Sequence, residues 1–141
     1  MSDLKKLYKA AIQAQKRAYA PYSKYHVGAA LNASGKVIVG CNVENASYGA
    51  TICAERSAIF SAVSQGYKNF SSLVVVTSNG ATPCALCLQV ISEFCGPDFA
   101  IGYGTPKKFL GTVKLSQLLA FPFRKSDLKR KSTSTKIHLR S

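Results

Sequence analysis

Residues 72–77 read Ser-Leu-Val-Val-Val-Thr, a β-branched run with no polar residue interrupting its apolar centre. A strand with one wet face alternates apolar and polar side chains, whereas an unbroken run marks a strand buried on both faces. The fold must therefore supply cover above and below this strand, and the surrounding sequence holds suitable elements. Residues 3–19 look helical, with Leu4, Leu7, Tyr8, Ala11, Ile12, Ala14, Gln15 and Ala18 forming a stripe near the 3.6-residue period among lysines, and Pro21 stops it. Residues 27–33 and 36–42 read as strands joined by the turn pair Ser34-Gly35, which predicts a hairpin. Residues 43–51 read as a loop. A helix capped by the Thr51 hydroxyl is expected to run to Gly66. Thr82-Pro83 reads as cap and first residue of another helix, which ends near Phe94 ahead of Gly96-Pro97. Weaker strands follow near 99–103 and 109–113, with a short helix near 115–120. Strands alternating with helices predict an α/β fold with a mixed sheet and helices on both faces.

A chain of 141 residues, 47% hydrophobic and 18% charged, suffices for one compact domain. That domain is assigned to residues 1–128, followed by a basic tail over 129–141. No apolar run is long enough to span a membrane, and the first residues lack the apolar core of a secretory signal. Five cysteines in that setting point to reduced thiols or metal ligands, and to a cytoplasmic location. The net charge of +13 is uneven: residues 124–141 hold seven basic side chains against Asp127 alone. Such a tail attracts nucleic acid or other anionic surfaces. With no aromatic residue interleaved to stack on bases, a solvated end is the simpler reading.

The chemistry is concentrated in three thiols and one carboxylate. Cys53-Ala54-Glu55 precedes Pro83-Cys84-Ala85-Leu86-Cys87, with Cys84 standing 31 positions after Cys53. Cys84 and Cys87 are one turn apart on one helix face. Both fall at a helix start, as does Cys53, and the positive helix ends favour the thiolates that zinc needs. Three protein ligands leave a fourth position open, the hallmark of a catalytic rather than a structural zinc site. Glu55, two residues from one ligand, is placed to accept a proton from water and deliver it to a substrate. Three thiolates with one Zn²⁺ carry a net negative charge, which Arg56 could offset by donating hydrogen bonds to sulfur. Read blandly, Glu55 is a helix-start carboxylate, Arg56 a surface charge and Cys84-x-x-Cys87 a redox pair. Cys41 and Cys95 read as ordinary buried thiols.

Asn42-Val43-Glu44-Asn45-Ala46-Ser47-Tyr48, Cys53-Ala54-Glu55-Arg56 and Pro83-Cys84-Ala85-Leu86-Cys87, together with the block from Pro21 to Ala30, closely resemble the small homotetrameric zinc-dependent cytidine deaminases. The resemblance covers roughly residues 4–128. Zinc deaminases as a class use a Cys₃ or His/Cys₂ ligand set and a glutamate that is not a ligand. The resemblance implies a three-layer α/β/α sandwich around a five-stranded mixed sheet, and hydrolytic deamination of cytidine and 2′-deoxycytidine in pyrimidine salvage. It implies Cys53, Cys84 and Cys87 as zinc ligands and Glu55 as proton shuttle. Asn42 and Glu44 match residues that hold the ribose 3′-hydroxyl. The backbone around Ala54 meets the pyrimidine, and Tyr25 occupies a wall position usually held by Phe. Ala46 and Tyr48 match residues lent to the site by a neighbouring subunit, and Phe123 resembles a C-terminal Phe that caps a neighbour's pyrimidine.

The chain departs from the pattern in three places. Leu88 stands where the family usually has Arg, Leu118-Leu119-Ala120 replaces a Leu-Leu-Pro stretch ahead of Phe123, and the tail extends past the resemblance. Competing readings are editing of cytidine within RNA through the basic tail, deamination of a nucleoside antibiotic, and a zinc-stabilised RNA-binding module. The last needs a fourth protein ligand, for which His26 and His138 are the only histidines.

Overall fold

The computed structural model describes residues 3–128. The basic tail 129–141, and His138 with it, lie outside the described residues. In chain order the elements are α1 (Asp3–Gln15), β1 (Gly28–Ala33), β2 (Lys36–Cys41), a 3₁₀ turn (Tyr48–Ala50), α2 (Ala54–Ser64), β3 (Phe70–Val76), α3 (Ala85–Phe94), β4 (Ala100–Gly104), β5 (Phe109–Lys114), α4 (Leu115–Leu118) and α5 (Lys125–Leu128). The five strands form one mixed sheet in the order β2-β1-β3-β4-β5. Only the β3–β4 pair is parallel, joined through α3 as a βαβ crossover.

The two-sided burial expected of the 72–77 run is visible in its neighbours. Leu73 and Val75 face one core with Ala29, Leu31, Ala58, Ile59, Leu88 and Ile91, beneath α2 and α3. Val74 and Val76 face a second core with Ala30, Leu7 and Ala11, beneath α1. Alternation along each strand thus divides one continuous apolar run between two layers. The result is a three-layer α/β/α sandwich around a five-stranded sheet. The β1–β2 hairpin turns through Ser34 at φ 53° and Gly35 at φ 85°, the two positive angles that a two-residue hairpin loop requires.

Three boundaries differ from expectation. The first helix ends at Gln15, four residues early, because Tyr19 is drawn into a bridge with Val43. Its N–H donates to the Asn42 carbonyl at 2.9 Å, and its carbonyl accepts from Glu44 N–H at 2.8 Å. Thr51 and Thr82 do not cap helices. Cys53 and Cys84 occupy the N-cap positions themselves, with extended backbone and no side-chain cap bond. The Thr51 hydroxyl instead accepts from Asn45 N–H, tying the loop. The helix Lys125–Leu128 and the 3₁₀ turn were not expected from periodicity; both are single turns. Among the described residues no helix is long and apolar enough to cross a membrane.

Candidate active site and metal centre

A cysteine at an N-cap does what a serine or threonine there would not. Ser and Thr fold their oxygen back over the free N–H groups. The Cys53 and Cys84 thiols make no such bond and are free to meet each other. Cys53 Sγ and Cys84 Sγ lie 3.9 Å apart, Cys84 Sγ and Cys87 Sγ 3.5 Å apart, and all three sulfurs fall within 4.8 Å of one another. A tetrahedral zinc with Zn–S bonds of about 2.3 Å sets its sulfurs about 3.8 Å apart, close to the two separations from Cys84. His26 is exposed and is not part of the cluster. All five cysteines are free thiols.

Two of these thiols perturb one another's ionisation. Hydrogen bonding from Cys87 brings the Cys53 thiol down to about 5, with further help from Arg56. The same bond to Cys53, followed by burial, drives Cys87 strongly upward. Cys53 and Cys87 are thus shifted in opposite directions by their shared hydrogen bond, whereas thiols that ligate a divalent metal are deprotonated. Arg56 donates from Nη2 to Cys53 Sγ at 3.3 Å, the sulfur contact its position suggested. Its Nε is buried and meets no acceptor among the described residues.

Glu55 sits in the first turn of α2, 4% exposed, with Oε2 3.6 Å from Cys87 Sγ. Burial pushes its carboxyl up to about 6, against the lowering effect of its backbone hydrogen bond at the helix start. The helix is placed by β2: a Cβ on Gly40 would lie 2.4 Å from both Ala54 O and Ala58 N, so only glycine lets α2 approach this closely.

Cys53, Cys84 and Glu55 line a cleft of about 260 Å³ together with Ala54, Tyr25, Asn42 and Glu44. Asn42 is 8% exposed and stitches the chain entering β1, accepting from Val27 N–H at 2.8 Å and donating to the Tyr25 carbonyl at 2.7 Å. An amide has four hydrogen-bonding positions, so two remain for a ligand. Glu44 Oε1 accepts from the N–H groups of Tyr22 and Ser23 at 2.9 and 3.1 Å. Hydrogen bonds from Ser23 and Tyr22 hold its carboxyl below the usual range, leaving an ionised acceptor at the cleft wall. The cleft thus has sulfur and a buried carboxyl at one end and an amide–carboxylate pair at the other.

Cys87 and Arg56 reach the lining through Glu55 and Cys53, and three other predicted site residues lie outside this cleft. Ala46 is exposed, and Tyr48 is 75% exposed, packing edge-on against Tyr22 in an adjoining hollow of about 410 Å³ that shares Ser23, Glu44 and Thr51 with the cleft. Phe123 is 58% exposed, with its backbone clipped to the Gln89 side chain on α3. It borders a separate hollow of about 400 Å³ at the far end of α3, away from the sulfurs. Leu88 is buried in the core under α3. Sequence reasoning missed Thr77, Ala81 and Thr82, which complete the cleft wall, and Asn79 behind them. The signal was the turn-like stretch Thr77-Ser78-Asn79-Gly80 between a buried strand and a cysteine-bearing helix.

The profile of the cytidine and deoxycytidylate deaminase zinc-binding region matches residues 1–103. A cytidine deaminase from Sporosarcina psychrophila is 43% identical over 129 residues, 89% of this chain and 95% of the relative. A probable cytidine deaminase from Dictyostelium discoideum is 42% identical over 130 residues, 89% of this chain and 87% of its own. The crystal structure of cytidine deaminase from Burkholderia pseudomallei superposes with a TM-score of 0.82 at 41% identity, covering 87% of this chain and all of its own. With a thiol trio spaced for zinc beside a buried glutamate, and likeness extending over most of its length, the chain belongs to the cytidine and deoxycytidylate deaminase zinc-binding family.

Proposed function

We propose that this protein hydrolyses cytidine and 2′-deoxycytidine to uridine and 2′-deoxyuridine, releasing ammonia. One observation carries the reading: a buried carboxyl and a zinc-spaced thiol trio close one end of a cleft whose other end presents Asn42 and Glu44. The spacing suits a free nucleoside, base toward sulfur and sugar toward the amide–carboxylate pair.

Cys53, Cys84 and Cys87 would hold the zinc, which supplies a Lewis acid that makes hydroxide available near neutral pH. Glu55 takes the proton that water gives up and passes it to the ring nitrogen beside the carbon under attack. The same carboxylate then takes the proton of the hydroxyl newly bonded to that carbon and hands it to the exocyclic amine; the carbon–nitrogen bond breaks, ammonia departs, the hydroxyl oxygen becomes the carbonyl of uridine, and the carboxylate is regenerated with one water consumed. Burial of Glu55 keeps this traffic away from bulk solvent. Arg56 offsets the excess thiolate charge through Cys53. Asn42 and Glu44 grip the ribose 3′-hydroxyl, which disfavours a nucleotide chain continuing through that oxygen.

The single-chain cleft, about 260 Å³, is smaller than the roughly 300–1,000 Å³ of most small-molecule sites. Exposed Tyr48 and Phe123 are suited to complete such clefts in neighbouring subunits, and with Ala46 they support a homotetramer with shared sites. Light scattering checks this: a fully active monomer would refute it. Five free thiols suit the cytoplasm, where the reaction would serve pyrimidine salvage.

The decisive assay measures ammonia release from nucleosides, nucleotides and short RNAs. Cytidine and deoxycytidine should react, and Glu55→Gln should retain zinc while losing turnover. A Glu55→Gln protein with normal turnover would remove the proton shuttle, and preference for an oligonucleotide would favour RNA editing.

A further inference from the structure

Residues 77–84 join β3 to α3 and deliver Cys84 to the metal centre. Among the described residues no backbone-to-backbone hydrogen bond pins 78–83. Their hydrogen bonds converge on one side chain instead. Asn79 Oδ1 accepts from the Tyr25 hydroxyl at 2.7 Å, the Thr77 hydroxyl at 3.2 Å and Ala81 N–H at 3.3 Å. Ala81 N–H also donates to Thr77 Oγ1 at 2.9 Å. Thr77 is itself anchored, 3% exposed, with its N–H on the Gly104 carbonyl at 3.1 Å. Tyr25, 54 residues away in sequence, belongs to the segment that Asn42 stitches from the other side.

We propose that Asn79 is a positioning residue, a latch through which the Tyr25 hydroxyl ties the aromatic wall of the substrate cleft to the loop that carries Cys84. Tyr25, Thr77, Ala81, Thr82 and Cys84 all line that cleft, so the latch sets the separation of its two walls. Among the described residues only the acceptor oxygen of Asn79 is engaged. An aspartate keeps that acceptor and an alanine removes it. Loss of the Tyr25 hydroxyl frees the wall but leaves the Thr77 and Ala81 bonds intact. Loss of the Asn79 acceptor frees the wall and the loop together.

The proposal rests on the deaminase reading for its kinetic arm and is independent of it for its metal arm. The zinc-loaded protein and the variants Tyr25→Phe, Asn79→Ala, Asn79→Asp and Tyr25→Phe/Asn79→Ala are compared by kcat and KM for cytidine, and by the rate of zinc transfer to a chromogenic chelator. One lost hydrogen bond of about 1 kcal/mol should raise KM roughly 5-fold in Tyr25→Phe, with little change in kcat or zinc transfer. Asn79→Ala should raise KM similarly, accelerate zinc transfer about 10-fold and lower kcat by about as much, within the range for groups that support metal ligands. Asn79→Asp should restore zinc retention to within about 2-fold, since the acceptor is kept. The double variant should have the KM of Asn79→Ala alone. Zinc transfer and KM unchanged in Asn79→Ala, equal damage in Asn79→Ala and Asn79→Asp, or additive KM effects would each overturn the latch. Failure of the parent protein to deaminate cytidine would refute the function instead, and the metal arm would still decide the latch.

Discussion

Gly40 offers the sharpest test of how the fold holds the chemistry. A Cβ there would stand 2.4 Å from Ala54 O and from Ala58 N, where ordinary contact begins near 3.4 Å. Both obstructing atoms are backbone, so no flexible side chain can yield. Gly40→Ala therefore requires the first turn of α2 to withdraw from β2 by about 1 Å. That turn carries Cys53 at its cap and Glu55 inside it. Overpacking of this kind costs about 1–3 kcal/mol in stability. Misplacing reacting groups by about 1 Å costs on the order of 10²-fold in rate, about 2.7 kcal/mol of transition-state stabilisation. Gly35→Ala is the matched control. Nothing lies within 4 Å of a Cβ at Gly35, but its φ of 85° strains an L-residue by about 1–2 kcal/mol, far from the cleft. The two variants should show similar losses of stability in urea, while only Gly40→Ala loses about 10²-fold in kcat for cytidine. Zinc content, measured in parallel, separates displaced carboxylate from lost metal. Gly40→Ala with normal kcat and full zinc would show that β2 does not set the position of α2.

Arg56→Leu removes the 3.3 Å donor to Cys53 and leaves the thiolate charge uncompensated; kcat should fall about 10-fold at full zinc occupancy, with partial recovery in Arg56→Lys, as checked by steady-state kinetics beside metal analysis. Cys95 gives a pH signature. Burial pushes its thiol up to about 12 from 9.0, so the folded state favours the protonated form. The associated stability is complete below about pH 9 and is lost as pH rises toward 12. Urea midpoints of the parent protein should therefore fall more between pH 8 and pH 10.5 than those of Cys95→Ala, and parallel midpoints would contradict the assignment.

Much of the architecture could be read from local pattern. The uninterrupted run ending at Thr77 demanded cover on two faces, because alternate side chains of a strand point opposite ways, and the structure divides it between two cores. Ser34-Gly35 announced a hairpin because few residues tolerate two successive positive φ angles. The three-residue spacing of Cys84 and Cys87 brought the two sulfurs together, at 3.5 Å, although Cys84 is the extended cap and only Cys87 lies within the helix. Caps were less legible. Thr51 and Thr82 satisfy the local rule for helix starts as well as the cysteines do, and only the convergence of two helices on one point selects sulfur for that position. The early end of α1 likewise follows from the bridge between Tyr19 and Val43, and not from any helix breaker at Lys16. Nothing near Asn79 in the sequence names Tyr25 as its donor. Sequence by itself determined what each segment prefers, since dihedral sterics and side-chain period act over a few residues. Tertiary structure alone decided which distant groups meet, since hydrogen bonds and close backbone approach exist only after the layers have packed.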